Sequence, residues 1–125
     1  MEWVFDVAVA KDGMIFIAGD QNGPALYASS DHGKHWDLLQ KFSGKGSAEA
    51  IAIDKNDPQR VAISTVQWGA QSGGKIYLSM DAGKNWQDIS GDLPEGTGAA
   101  AMAFSNDGKF LYQVKYAGSV YKIGL

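Results

Sequence analysis

Large and small apolar residues alternate in three short stretches of the chain. Residues 7–10 read VAVA, residues 51–54 read IAID and residues 102–105 read MAFS. A period of two residues is typical of a β-strand, because successive side chains point to opposite faces of a sheet. A turn signal follows each stretch: DG at 12–13, NDP at 56–58 and DG at 107–108. The stretches therefore predict three copies of one strand and its turn.

Further apolar stretches follow each turn and extend the pattern. We expect second strands at residues 14–19, 60–66 and 110–115, and third strands at 25–30, 75–80 and 119–125. A fourth strand begins at Trp36 and again at Trp86. No apolar series recurs at helical spacing over three turns, which predicts an all-β chain.

The predicted unit is four short antiparallel strands in roughly 45–50 residues, which is typical of a β-propeller blade. We expect blades at about residues 3–42, 49–90 and 99–125, all in one domain. The third has only three strands, so the chain supplies about two and three-quarter blades. A β-sandwich, the rival fold, would explain the alternation but not a motif that recurs at a fixed spacing.

That motif is an eight-residue turn sequence. Residues 29–36 read SSDHGKHW and residues 79–86 read SMDAGKNW, 50 positions later. Both fit S-x-D-x-G-K-x-W, and Tyr27 and Tyr77 precede them at the same offset. The motif resembles the Asp-box, or BNR, repeat of sialidases, sortilin-like receptors, xyloglucan-degrading hydrolases and photosystem assembly factors. The resemblance implies a β-propeller, but enzymes and binding proteins share it, so it implies no particular activity.

Each residue type in the motif has a structural role to play in a turn. The aspartates can accept backbone N–H groups, the serines can bond across the hairpin, and glycine tolerates positive φ. We expect the tryptophan rings to lie buried between blades, with the indole N–H partnered. The predicted structural residues are Ser29, Asp31, Gly33, Trp36, Ser79, Asp81, Gly83 and Trp86.

A catalytic role for Asp31 or Asp81 is the alternative, and recurrence of the aspartate in successive blades weighs against it. His32 and His35 are replaced by Ala82 and Asn85 in the second copy, so the fold does not need them. Without cysteine or a nearby third ligand we expect solvated turn histidines rather than a metal site.

The resemblance places the ligand-binding face opposite the repeated turns. Strand connectivity then brings the loops between second and third strands to that face, and loops that vary on a repeated scaffold usually carry function. The predicted ligand-binding residues are Asp20, Asn22, Gln67, Trp68, Gln71 and Tyr116. Trp68 can stack on a sugar ring or anchor a protein partner, or it can fold back as a hydrophobic lid. Glu49, Asp92 and Glu95 can form a carboxylate pair or remain solvated loop acids.

Composition narrows the classes of function. The chain has no cysteine, and 11 Lys and Arg against 14 Asp and Glu give a net charge of −3, which disfavours a nucleic-acid partner. No apolar run approaches a membrane span, so no membrane partner is expected. No signal peptide is visible, which slightly favours a cytoplasmic location. We predict no cofactor. The resemblance implies an arginine triad for a sialidase, whereas Arg60 is the single arginine of this sequence, so sialidase activity is disfavoured.

These observations favour a non-enzymatic binding module with a glycan or protein ligand. The alternatives are a glycoside hydrolase, a fragment of a larger Asp-box propeller, and a structural assembly subunit. Because the sequence ends before a fourth strand of the third blade, we expect a homo-oligomer, a dimer with six blades, or the remainder of a longer propeller. The open ends should then expose large apolar residues, namely Val7, Val9, Met102 and Phe104.

Overall fold

The computed structural model describes residues 2–67, 74–91, 100–115 and 119–125, which form eleven strands in three antiparallel sheets. The first sheet contains β1 (Trp3–Val9), β2 (Ile15–Asp20), β3 (Pro24–Ser29) and β4 (Asp37–Lys41). The second contains β5 (Gly46–Asp54), β6 (Asp57–Gln67), β7 (Lys75–Ser79) and β8 (Gln87–Asp88). The third contains β9 (Ala101–Phe104), β10 (Phe110–Val114) and β11 (Val120–Gly124).

Each sheet is a simple meander, with every strand paired to the next one in the sequence. The described residues include no helix, and therefore none that could span a membrane. The all-β prediction is confirmed. The strands differ from expectation mainly in length: β5 starts at Gly46, β6 already at Asp57, and β8 has only two residues.

Strand register sorts the side chains of each sheet onto two faces. In the first sheet Val7 pairs with Ile17, which pairs with Tyr27, so these three share a face. We call this the front face; on every sheet it carries the large residues of the innermost strand. The opposite, back face carries the alternate residues, such as Ala8, which pairs with Phe16. The large–small alternation in the sequence is therefore an alternation between the two faces.

The three sheets stack front to back. The back of the first sheet packs on the front of the second, where Phe16 and Leu26 meet Ile51, Val61 and Ile63. The back of the second packs on the front of the third in the same way, and its core contains Ala52, Ala62, Ile76, Leu78 and Leu111. Alanine on the back of the inner strand lets the large residues of the next sheet approach closely.

Polar contacts join neighbouring sheets beside each core. Asp6 follows a bulge in β1; its Oδ1 accepts the Val7 N–H at 2.9 Å and its Oδ2 accepts the Ile51 N–H at 2.9 Å. Between the second and third sheets, Arg60 Nη1 donates to Asp54 Oδ2 at 2.8 Å and to the Gly108 carbonyl at 2.9 Å. Each junction is thus fixed by hydrogen bonds as well as by apolar packing.

The outer faces of the stack differ in part from expectation. Val7 and Val9 on the front of the first sheet are 58% and 65% exposed, as expected. Met102 and Phe104 are not on an open face; they are half-buried against the second sheet, because the third sheet packs by its front. Its back face is the open one, where Tyr112, Val114 and Val120 are exposed.

Candidate functional site

The two repeated turns contain the same hydrogen-bond network. In the first, Ser29 Oγ accepts the Gly33 N–H at 2.9 Å and donates to Asp31 Oδ1 at 2.8 Å. Asp31 Oδ1 also accepts the His35 N–H at 2.8 Å, and its Oδ2 lies 2.5 Å from His35 Nδ1. The Trp36 indole donates to the Gly33 carbonyl at 3.0 Å. All of these hydrogen bonds therefore join residues within the motif.

The second turn repeats these contacts at the equivalent atoms. Ser79 Oγ accepts the Gly83 N–H and donates to Asp81 Oδ1, both at 2.8 Å. Asp81 Oδ1 accepts the Asn85 N–H at 2.8 Å, and Asn85 Nδ2 donates to Asp81 Oδ2 at 2.7 Å. The Asn85 amide therefore takes the place that the His35 ring has in the first turn.

These contacts hold both aspartates in the ionised form. The side-chain and backbone N–H groups of Asn85 lower the pKa of Asp81 to about 2 from its ordinary 3.8. The pKa of Asp31 is also lowered, first by the backbone N–H of His35 and then by its ring. A general acid needs a raised pKa, so this geometry suits an acceptor within a turn rather than a proton donor.

The two motif tryptophans have different surroundings, although both were expected to be buried. Trp86 packs on the first sheet, with its ring 5.4 Å from that of Phe42 in an edge-on arrangement. Trp36 is 38% exposed. The difference follows from position: Trp86 is at the front of the second sheet and meets the first, whereas no described residues form a sheet in front of Trp36. The expectation of burial was wrong for Trp36.

On the opposite side of the sheets, two predicted ligand-binding residues lie in one tight turn. Asp20 ends β2 and is only 5% exposed; its Oδ1 accepts the Gly23 N–H at 2.7 Å. Asn22 has a φ of +54°, a conformation that asparagine tolerates. Lys41 Nζ donates to the Asn22 carbonyl at 3.1 Å and holds the turn against the end of β4.

Gln67, a third predicted residue, anchors the neighbouring link between the first two sheets. Its Oε1 accepts the Lys45 N–H at 3.0 Å and its Nε2 donates to the Ser43 carbonyl at 3.4 Å. A Cβ on Gly44 would lie 2.2 Å from Gln67 Oε1, and one on Gly46 would lie 1.8 Å from the Val66 carbonyl oxygen. Only glycine fits this path, so Gln67 organises the link rather than presenting a free amide.

The turn and the link enclose an open cleft of about 390 Å³. Its lining combines two carboxylates, an amide and an amine: the residues are Glu2, Asp20, Asn22, Gly23, Lys45 and Gly46. Two of these, Asp20 and Asn22, were predicted. Glu2 and Lys45 were missed, because single polar residues outside the repeat have no pattern in the sequence. Negatively and positively charged hydrogen-bonding groups therefore lie close together at the cleft.

The remaining predicted residues, Trp68, Gln71 and Tyr116, lie outside the described residues, as do Asp92 and Glu95. Their roles stay predictions. Glu49 is in β5 at a shift of register, with Glu49 Oε1 accepting from Ser47 Oγ at 2.7 Å. Within the described ranges no three carboxylate or imidazole groups converge to hold a metal ion.

A second open cleft, of about 410 Å³, lies at the opposite ends of the inner strands. Lys11 and Lys55 are exposed beside it, and Asp54 in its wall is already paired with Arg60. None of the predicted ligand-binding residues lines this cleft, so it provides a reference site for mutagenesis.

Comparison with known proteins identifies the fold. No protein-family profile and no curated protein sequence matches the chain. Among solved structures, it is similar to the GH74 xyloglucanase from Xanthomonas campestris, with 21% identity and a TM-score of 0.74 over 95% of this chain. It is also similar to the GH74 enzyme from Niastella koreensis, with 22% identity and a TM-score of 0.72 over 97% of this chain. YCF48 bound to D1 peptide gives 13% identity and a TM-score of 0.71, again over 97%.

These structures are β-propeller proteins, and the likeness confirms that the three sheets are propeller blades. The chain spans only 20% and 16% of the two GH74 enzymes and 37% of YCF48. It therefore corresponds to a part of each of these propellers.

Proposed function

We propose that this chain is part of an Asp-box β-propeller that binds a glycan or protein ligand without catalysing a reaction on it. The observation that carries the proposal is the cleft lined by Asp20, Asn22 and Lys45, on the side away from the repeated turns. Its mixed acceptors and donors suit hydroxyl, amide or ammonium groups.

The Asp-box assignment draws support from both sequence and geometry. The motif recurs after 50 residues, and the two copies share the contacts of serine, aspartate, glycine and indole. A motif that merely coincided in letters would not be expected to repeat its hydrogen bonds. The carboxylates of both aspartates accept hydrogen bonds within their own turns. We therefore assign the ligand to the opposite face.

The similar structures illustrate both ligand classes. One of them is a xyloglucanase, and another, YCF48, is bound to a peptide. A glycoside hydrolase, or a fragment of one, is the alternative function for this chain. A purely structural assembly subunit is the third. The lowered pKa of Asp31 and of Asp81 supports a structural rather than a catalytic role for the two aspartates of the repeated turns.

The experiment compares two ends of the same blades. The chain is screened on a glycan array that includes xyloglucan oligosaccharides, and against a displayed peptide library. For any probe that binds, Asn22→Ala with Lys45→Ala should weaken the affinity about tenfold or more. Lys55→Ala, at the reference cleft, should leave it unchanged.

Trp68→Ala tests the predicted contribution of the neighbouring loop. It should weaken binding of the same probe about tenfold with little change in melting temperature. A collapse of stability would instead favour the lid interpretation. Release of reducing sugar from xyloglucan by the purified chain would overturn the non-enzymatic proposal, and equal affinities of all variants would remove the cleft from it.

A further inference from the structure

We propose that two copies of this chain join head to tail, with the front face of the first sheet of one copy packed on the back face of the third sheet of the other. The inference rests on the proposed function, because it supplies the blades that such a propeller needs.

The front face of the first sheet repeats a face that is already buried elsewhere in the chain. Register aligns Val7, Val9, Ile15, Ile17 and Tyr27 with Ile51, Ile53, Val61, Ile63 and Tyr77. The second set packs on the back of the first sheet and forms a core there. The first set is equally apolar and similar in size, yet Val7 and Val9 are more than half exposed. Position by position, this surface is a blade junction without its partner.

The third sheet offers the matching surface. Its back face places Ala101 and Ala103 on the inner strand, paired with Val114 and Tyr112. The first two sheets have Ala8 and Ala52 where the third has Ala103, and both take part in a junction with the next sheet. Tyr112, Val114 and Val120 extend an exposed apolar surface around these small residues. The large valines of β1 can therefore enter the same kind of depression as Ile51 and Phe104 do.

Burial of the front face would leave no backbone donor unpaired at its centre. The Val7 N–H is the group equivalent to the Ile51 N–H, which the first sheet satisfies through Asp6 Oδ2. Alanine occupies the position of Asp6 in the third sheet, so no carboxylate is available there. Asp6 Oδ1 of the same chain already accepts the Val7 N–H at 2.9 Å. The junction therefore needs no additional polar partner at this point.

A second copy supplies a counterpart for both faces, because it carries the same front and back surfaces. Among the described residues of each chain, the front of the first sheet and the back of the third are exposed, so a two-fold axis through the ring makes two identical junctions. Three sheets from each copy give six, within the four to eight blades that propellers use. The two internal junctions, first-to-second and second-to-third, supply the template.

Light scattering coupled to size exclusion tests the assembly with the purified 125-residue chain. The expected mass is twice the 13.4 kDa of one chain. Val9→Lys and Ala103→Glu should each give a folded monomer, because both residues are exposed in the single chain. Unchanged circular dichroism should confirm that each variant is folded. An equimolar mixture of the two variants should recover the dimer, because one junction then pairs lysine with glutamate and the other is wild type.

Met80→Lys is the matched control, since Met80 is 60% exposed on the second repeated turn, away from both open faces. It should remain a dimer. A wild-type monomer at 13.4 kDa, as expected if the faces meet further blades of a longer chain, would overturn the proposal. So would a dimer that Val9→Lys breaks and Ala103→Glu does not, because that pattern indicates front-to-front pairing. A monomer that still binds its ligand through the Asn22 cleft would leave the proposed function intact.

Discussion

At the scale of the residue, Asp81 makes the second repeated turn sensitive to acid. Its pKa falls to about 2 in the folded protein, against 3.8 ordinarily, because the side-chain and backbone N–H groups of Asn85 bond the carboxylate. A group with a depressed folded pKa adds stability above its ordinary pKa and loses it as the pH falls towards the folded value. The contribution of Asp81 is therefore complete above about pH 4 and disappears between about pH 4 and pH 2.

Asp81→Asn removes this titration while keeping an oxygen that can accept the Asn85 N–H. We expect the urea midpoint of the wild-type chain to fall more steeply between pH 4 and pH 2 than that of the variant. Asp37→Asn, at an exposed acid that begins β4, is the control and should follow the wild type. Parallel curves for wild type and Asp81→Asn would contradict the expectation.

At the scale of the element, the two repeated turns are alike in backbone but differ in what lies beside them. Gly33 has a φ of +88° and Gly83 a φ of +93°, so alanine is strained at either position. A Cβ on Gly33 would meet only Trp36 of its own turn, at 3.6 Å. A Cβ on Gly83 would lie 3.0 Å from Leu39 Cδ1 on the first sheet.

Gly83→Ala should therefore destabilise the chain more than Gly33→Ala does. We expect about 1 kcal/mol for Gly33→Ala from backbone strain alone. Overpacking against Leu39 should add about 1–2 kcal/mol for Gly83→Ala. Urea unfolding of the two variants at one pH measures the difference. Equal losses in the free energy of unfolding would mean that Leu39 on the first sheet can move away from the added methyl group without destabilising the fold.

The sequence predicted the elements well wherever a local pattern specifies them. The alternation at residues 7–10, 51–54 and 102–105 located all three inner strands, since period-two patterning is a property of the strand itself. Burial of Met102, Phe104 and Trp36 was misjudged, because it depends on which face of a sheet meets a neighbour. The face that becomes buried is determined by packing between sheets, and the sequence of a single strand does not indicate it.

The candidate site was only partly predictable for a similar reason. Asp20 and Asn22 belong to a turn whose residue types are typical of turns, so the sequence pointed to them. Glu2 and Lys45 line the same cleft but come from the start of the chain and from a link between sheets. Their proximity to Asp20 depends on the stacking of two sheets and on the narrow path past Gly44 and Gly46.

At the scale of the whole molecule, the open front of the stack makes two equivalent tryptophans contribute unequally to the free energy of unfolding. Trp86 packs between two sheets beside Phe42, whereas Trp36 faces outwards from the first sheet. Trp86→Ala should lower the free energy of unfolding by about 3 kcal/mol. Trp36→Ala should lower it by less than about 1 kcal/mol in the Val9→Lys background, in which the front face stays open and each chain unfolds alone.

Chemical denaturation of both substitutions in the Val9→Lys background measures the two values. Because the indoles make the same bond to a glycine carbonyl, at 3.0 Å for Trp36 and 2.9 Å for Trp86, the comparison isolates the contribution of the neighbouring sheet. Equal losses would show that the ring stabilises its own turn and not the stack.

The front-to-back stacking of large residues on alanines also has a genetic consequence. Every sheet has a front face and a back face that can form the same kind of junction. A tandem duplication of the stretch that encodes the second sheet would therefore place Ile51 of the new copy over Ala52 of the old one. No new type of contact has to arise for the protein to gain a blade. Blade number in such a chain can change by whole-unit copying, while the loops at one end of each unit diverge independently.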